Sequence, residues 1–529
     1  MVDGAELKKV IKEISTPNEL QKIVQRLQVM TYNNRSDEEV LELVIAAINK
    51  CELIGNNISL INLISLKIVH LQHFKENLVT ISKLAKRIHD LSKEIDFEDG
   101  LALYYSHKWY IEKFRGNTAE AKSAIKKSNS IMNNSKKHDE FIYYICNYTY
   151  AMEQWFEKRE LKSASVFQKC AEYFLQKGLY HGLTMSLGAL IIIYQETQNT
   201  EKALNLIKTI LVNRSLLSKI PVKIKSVIHY FIGLGHKLNF NLAEAEKNII
   251  EANAVLKSMY NKSIYAQYYF NSFSRLAEIK ALRGDLEGGV KQIKEMESLL
   301  EEENISNRLD DYTKSEIIHT FNLVKFYVQS RLHSFNEDNI QPLKAEILNN
   351  VNKRSSNAIL ISEFILNGNL SNEELLKLEK INNASVKRIR HIIKYLQIRN
   401  KSDNLENSDL IDRKIDTLSN YFTNRLTFIE KAFSDLLIAQ ELYSAKRYTE
   451  IYPILKKYEK HLHRIEVLEM RVFMEAFIQV GAFKSGDPLG PALQYMAIKK
   501  CKQYGFSRLE NKLLEYLDIQ GNDTLRLMI

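Results

Sequence analysis

The chain has 529 residues, with 45% hydrophobic and 26% charged side chains and a formal net charge of +10. That is enough apolar material for several domains or one elongated array, and it excludes a disordered or collagen-like chain. Glycine and proline are scarce, 18 and 6 residues, which favours helices over turn-rich β structure. The cysteines Cys51, Cys146, Cys170 and Cys501 form no C-x-x-C pair, so a disulfide framework is not expected and a reducing, cytoplasmic setting is. The positive charge is interspersed with glutamate and asparagine, with no run of five like charges to force a polyanion partner.

From the start of the chain, MVDGAELKKVIKEI reads as an amphipathic charged helix without the basic-then-apolar plan of a signal peptide. Thr16-Pro17-Asn18-Glu19 predicts a helix start with proline at the first helical position and a capping box from Thr16 to Glu19. Pro221, Pro453 and Pro491 also fall near expected helix starts. The most apolar stretch, Leu183 to Tyr194, is too short to span a bilayer, so no membrane partner is expected.

A short signature then recurs: a turn residue, polar residues, and a small residue opening an apolar helix. It reads Gly116-Asn-Thr-Ala-Glu-Ala121, Gln198-Asn-Thr-Glu-Lys-Ala203, Phe240-Asn-Leu-Ala-Glu-Ala245 and Gly284-Asp-Leu-Glu-Gly-Gly289, with a weaker copy at Arg159-Glu-Leu-Lys-Ser-Ala164. A small residue there lets the preceding helix approach closely, and Gly-Asn or Gly-Asp makes the tight turn. Residues three, four and seven positions on share its face: Ile207 and Ile210 after Ala203, Ile249 and Ala252 after Ala245. The preceding helices carry Leu187, Leu190, Ile191 and Tyr194, and His229, Ile232, Gly233 and His236, at helical spacing. Leu78 with Ile81 and Ala85 fits one step back from Ala121. At the other end, Lys446 to Ile451 opens one helix and Pro491-Ala492 another.

This pattern resembles the tetratricopeptide repeat, which pairs a small residue in the first helix with Tyr three positions on and Ala opening the second. Ile191, Tyr194 and Ala203 hold those positions, with Ile191 departing from the small residue; Gly233 and Ala245 match two, with His236 in place of Tyr. The anchors at 121, 164, 203, 245 and 289 are separated by 39 to 44 residues, against a standard period of about 34. The long period is similar to the helical sensor region of large ATP-dependent transcriptional activators. The resemblance implies an all-α fold, a right-handed superhelical solenoid of antiparallel helix pairs. The expected organisation is an N-terminal array over 1–300, an irregular helical region over 301–410 with a polar linker near 400–409 (Asn400 to Asp409, NKSDNLENSD), and C-terminal helix pairs over 411–529. Ser507 to Glu510 reads as a further capping box before a last helix.

No phosphate-cradling G-x-x-x-x-G-K-[ST] or G-x-G-x-x-G loop is present, so no cofactor is expected. His70 and His73, and His461 and His463, lack the spacing and third ligand of a zinc site, and no metal is expected. No nucleophile accompanies the acid pairs, so no catalytic residue is assigned and the chain is not read as an enzyme. Aromatic clusters stand out: Tyr104, Tyr105, Trp109 and Tyr110; Tyr143, Tyr144, Tyr148, Tyr150, Trp155 and Phe156; Tyr265, Tyr268, Tyr269 and Phe270. They are read either as core between long helices or as the lining of a concave groove.

In such arrays non-core positions of the first helix line the inner surface. The register assigns Ser106, Tyr110 and Lys113; Thr149, Glu153 and Phe156; Ile192 and Gln195; Tyr230 and Lys237; and Asn271, Ser274 and Glu278 to a candidate concave face. Some tetratricopeptide domains clamp a terminal carboxylate with Lys and Asn on successive turns; the equivalent pairs here are Ser106/Tyr110, Thr149/Glu153 and Tyr230/Leu234, so that clamp is not expected. The reading is a peptide- or protein-binding scaffold or signalling adaptor. The alternative is a nucleic-acid-associated regulator using a basic surface. The apolar close Leu525-Arg-Leu-Met-Ile529 motivates a possible homodimer.

Overall fold

The computed structural model describes residues 4–34, 37–72, 77–135, 138–158, 161–197, 199–259, 263–302, 311–331, 337–351, 358–381, 386, 388–401, 408–420, 427–484, 498–503 and 510. Among them the fold is all-α. The helices are α1 (Gly4–Glu13), α2 (Pro17–Asn33), α3 (Glu38–Ile54), α4 (Asn57–Leu71), α5 (Leu78–Glu94), α6 (Glu98–Phe114), α7 (Thr118–Asn134), α8 (Glu140–Lys158), α9 (Ser163–Gln176), α10 (Tyr180–Glu196), α11 (Thr200–Val212), α12 (Arg214–Lys219), α13 (Val222–Leu238), α14 (Leu242–Leu256), α15 (Ser263–Leu282) and α16 (Leu286–Glu301). They continue as α17 (Asp311–Gln329), α18 (Glu337–Asn350), α19 (Ala358–Asn367), α20 (Asn372–Glu379), α21 (Arg390–Lys401), α22 (Ser408–Asn420), α23 (Phe428–Ser444), α24 (Ile451–Glu459) and α25 (Leu468–Lys484). Helices adjacent in sequence pack on one another, α6 on α7 and α9 on α10 most extensively. No described helix is long and apolar enough to cross a membrane.

The ends of these helices follow from local chemistry. Thr16 and Glu19 form the expected capping box, with Pro17 opening α2. Ser371 with Glu374 and Thr427 with Glu430 repeat the device at α20 and α23. Each satisfies backbone N–H groups that the first helical turn leaves unpaired. Pro221 precedes α13 and Pro453 lies in the first turn of α24, whereas Pro342 lies inside α18. Pro491, the capping box at Ser507 and the apolar close at 525–529 lie outside the described residues, as does most of the expected linker at 402–407.

At Gly116, Phe240 and Gly284 the recurring signature is a helix stop of one geometry, while Arg159 and Gln198 of the other two copies lie outside the described residues. Gly116 has φ +80°, the Asn117 N–H donates to the Glu112 carbonyl at 2.8 Å, and the Gly116 N–H to that of Lys113 at 3.1 Å. This crossed pair is the Schellman stop, which needs one left-handed residue. It repeats at Gly178 and Gly284, with φ +69° and +89°, and with non-glycine residues at Phe240 and Lys446, φ +59° and +58°. The residue that opens the next helix is small and buried: Ala121, Ala164, Ala203, Ala245 and Gly289. A Cβ on Gly289 would sit 3.4 Å from the Ala277 carbonyl and 3.5 Å from the Ala281 Cβ, so α15 does come close at this position.

The chain divides into two units. The first comprises Met1–Gly235, Asn248–Ser272 and Leu299–Lys314. One hydrophobic cluster runs there from Leu7 of α1 to Leu183 of α10, and another includes Trp155, Phe167 and Ile193. The side chain of Asn33 donates to the Gly178 carbonyl at 2.9 Å and accepts from the Tyr180 N–H at 2.9 Å, tying α2 to the turn before α10. Tyr32 beside it meets Phe141 edge-on at 5.7 Å and Phe174 at 6.5 Å. The second unit comprises His236–Lys247, Phe273–Ser298 and Ser315–Ile529. Its core includes Phe326 and Phe364, edge to face at 5.1 Å, and Phe477, which the half-buried Tyr443 meets at 5.9 Å. The four cysteines are free and buried; burial pushes the Cys146 thiol up to about 11 and that of Cys170 to about 12, so they act as apolar fillers.

The bulky Ile191, which departs from the small residue of the repeat pattern, is accommodated in the first unit by Gly235 of α13. A Cβ on Gly235 would lie 2.7 Å from both Ile191 Cγ2 and Ile207 Cδ1. Gly235→Ala therefore overpacks this crossing and is expected to lower stability by about 1–3 kcal/mol in urea titration. Adding Ile207→Val, which removes one of the two obstructing atoms, should recover part of the loss. At the turns, Lys446 is exposed and left-handed, so Lys446→Gly should raise stability by roughly 1 kcal/mol, and Gly116→Ala should lower it by a similar amount.

Candidate functional site

A repeat of about 41 residues places equivalent positions of successive repeats beside one another. The hydrogen bonds show this directly. Ser65 of α4 meets His107 of α6 at 2.9 Å, and Lys113 of α6 donates to Glu153 of α8 at 3.0 Å. The Gln195 amide of α10 donates to the Gly235 carbonyl at 3.0 Å. In the second unit, Lys237 bonds Glu278, Arg388 bonds Glu430, and His391 of α21 meets Ser434 of α23 at 3.1 Å. These partners are 40 to 43 residues apart in sequence, matching the spacing of the anchors.

The sequence-assigned residues fall into two clusters and several single positions. On α6 and α8, the buried Glu153 carboxylate accepts from Lys113 Nζ and from the Trp109 indole N–H, both at 3.0 Å. Lys113 also lies over the Trp109 ring, 4.8 Å from its centroid. The Lys113 side chain keeps 42% of its exposure and that of Glu153 only 8%. The result is a cation held on an aromatic face with its counter-charge buried behind it. Tyr110 of the same helix is half-buried, its ring 5.4 Å from that of Phe114, and Lys127 lies 5.5 Å over the Tyr105 ring. Thr149 is half-buried and donates to the Ile145 carbonyl at 2.9 Å.

The second cluster is sealed. Lys237 Nζ donates to both Glu278 oxygens at 2.9 Å, with side-chain exposures of 1% and 0%. Arg275 adds a contact to Glu278 at 3.3 Å and reaches Glu316 at 4.0 Å. Burial, which disfavours the ammonium, lowers the Lys237 pKa to about 8 even though Glu278 opposes the shift. Ser274 is buried alongside on α15.

Of the remaining positions, Ser106 is buried and bonds Ser128 of α7 at 3.0 Å. Gln195 and Tyr230 are buried, and the Tyr230 ring meets Phe231 at 5.5 Å and Tyr268 at 5.4 Å. Ile192 and Asn271 are half-buried. The side chain of Phe156 lies outside the described residues. Tyr110, Lys113, Thr149, Ile192 and Asn271 thus retain surface that a partner can reach, whereas Ser106, Glu153, Gln195, Tyr230, Lys237 and Glu278 join helix to helix. The aromatic clusters divide in the same way: Trp155, Tyr265, Tyr269 and Phe270 are buried core, while Tyr104, Tyr105, Trp109 and Tyr110 are half-buried.

Sequence reasoning missed Ser65, His107, Arg275 and Glu316 as members of these rows. The signal was present: each is about one period from a partner of matching chemistry. Burial lowers the His107 and His391 pKa values to about 4, so both imidazoles are neutral and suited to hydroxyl partners. His70 pairs with Thr31 at 3.2 Å, and His73 lies outside the described residues.

No family model matches this chain, and no curated protein matches it.

The sealed cluster gives a stability prediction. Lys237→Met leaves Glu278 with one cation fewer in a dry site and is expected to cost about 3–5 kcal/mol, whereas Lys237→Met with Glu278→Leu should recover most of that loss. The folded-state pKa of Lys237 lies below its ordinary value of 10.5, so the unfolded chain binds more protons between about pH 8 and 10.5. Wild-type stability should therefore rise with pH across that window relative to the double variant, as read by urea midpoints at each pH.

Proposed function

We propose that the chain is a non-enzymatic, cytoplasmic scaffold or signalling adaptor of the tetratricopeptide type, with antiparallel helix pairs forming a right-handed superhelix. The first-helix row of its N-terminal array receives an extended peptide or protein segment. The observation that carries this reading is the Trp109–Lys113–Glu153 arrangement on α6 and α8. It offers an aromatic face and an exposed cation whose position is fixed before any ligand arrives. Preorganisation of this kind reduces the ordering cost of association, and half-buried Tyr and Trp supply contact area at few rotatable bonds. Tyr110 and Thr149 extend the same row along α6 and α8, and the period of 39 to 44 residues supports the long-repeat resemblance.

Photo-crosslinking tests this reading. A photoreactive residue placed at Tyr110 or Thr149 should capture one protein-derived peptide from native extract, and Lys113→Ala should reduce capture at least about fivefold. A photoreactive residue at the exposed Ser123 on α7 should capture little. Equal capture at Ser123, or capture of nucleic acid instead of peptide with a steep salt dependence, contradicts the proposal and favours the basic-surface alternative.

A further inference from the structure

The second unit contains a cleft of about 170 Å³ lined by α17, α19, α21, α23 and α25. One wall is polar and fixed in place. The Arg331 guanidinium carbon lies over the Tyr327 ring, 3.4 Å from its centroid. It bonds Glu363 of α19 at 2.9 Å and also Glu469 of α25, and its own side chain is 5% exposed. The Tyr327 hydroxyl donates to Glu469 at 3.2 Å, and the Asn367 amide to Glu363 at 3.0 Å. The lining also has apolar members, among them Phe433, Met470 and Phe473.

Two carboxylates share one guanidinium on this wall, so the three groups together carry one net negative charge. Glu363 and Glu469 keep 17% and 15% of their side-chain exposure, which leaves each an edge toward the cleft. The other cation of the lining, Arg399, is exposed and lies 6.0 Å from the Tyr395 ring, where solvent and salt screen it. A partly desolvated negative wall beside methionine and phenylalanine side chains matches a long aliphatic side chain that ends in a cation. The stem packs on the rings and thioether while the head meets the carboxylates.

We propose that this cleft binds a lysine or arginine side chain presented by a peptide or protein segment, with its methylene stem on Phe433, Met470 and Phe473 and its charge at Glu363 and Glu469. This site lies within the second unit and does not rest on the α6–α8 row, so its failure leaves the earlier reading standing.

Titration of the full-length protein with acetyl-Leu-Lys-Leu-amide, acetyl-Leu-Met-Leu-amide and acetyl-Leu-Glu-Leu-amide, followed by calorimetry, tests it. The lysine peptide should bind at least about tenfold more tightly than the glutamate peptide, with the methionine peptide between them. Glu363→Gln should narrow that preference. Because Glu363→Gln also touches the Arg331 contacts, Gln440→Trp provides a second test: Gln440 lines the cleft, is half-buried and is not part of the charged wall. This variant should abolish binding while keeping the wild-type thermal midpoint. Equal or tighter binding of the glutamate peptide overturns the proposal. So does the absence of saturable binding of the lysine peptide at millimolar concentration, or full lysine-peptide binding by a folded Gln440→Trp variant.

Discussion

The N-terminal array depends on one steric condition: the helix that follows a turn of the recurring signature begins with a residue small enough for the preceding helix to lie against it. Ala121, Ala164, Ala203, Ala245 and Gly289 meet it, and all are buried. Before Ala121, Ala245 and Gly289 a Schellman stop sets this up, because the left-handed residue at its end reverses the chain within two residues. Where the rule is broken the chain adjusts elsewhere. Ile191 stands where the repeat pattern calls for a small residue, and Gly235 on a later helix supplies the missing space.

Close approach of successive helices brings alternate helices within hydrogen-bonding reach, and this is where the buried polar groups sit. A lysine or glutamate cannot be dry without a partner, so Lys237 and Glu278 specify one another's position as firmly as any apolar contact. Such pairs add little net stability compared with apolar residues of the same volume. Their effect is on register: a shift of one residue between α13 and α15 would strand two charges. Ser65 with His107 and His391 with Ser434 act in the same way with neutral groups. The α6–α8 rung differs in one respect. Its carboxylate is buried but its lysine is not, and that asymmetry gives it surface for recognition.

The all-helical fold was legible because few residues break helices and because the anchors from Ala121 to Gly289 recur with the turn residues that precede them. The capping boxes and Pro17 could be read locally for the same reason: their chemistry lies within four residues of sequence. The helices after α16 were harder to place. α18 contains Pro342, and α19, α20 and α21 are short, 10, 8 and 12 residues, so each offers few turns of periodic signal. The candidate row was legible as positions but not as exposure. A polar residue on a first helix looks the same in sequence whether it faces solvent, like Lys113, or a buried counter-charge, like Lys237. The cleft around Arg331 was not legible at all, because Glu469 lies 138 residues from Arg331 and no local pattern links them.

Buried polar contacts one period apart hold the register, including where the sequence signature fades. A double-mutant cycle on Arg388 and Glu430, 42 residues apart, tests it most directly, because this pair follows the short helices where no anchor could be read. Urea unfolding of Arg388→Ala, Glu430→Ala and the double variant should give a coupling energy of about 1–3 kcal/mol. Additivity within about 0.5 kcal/mol would show that this pair does not hold the register.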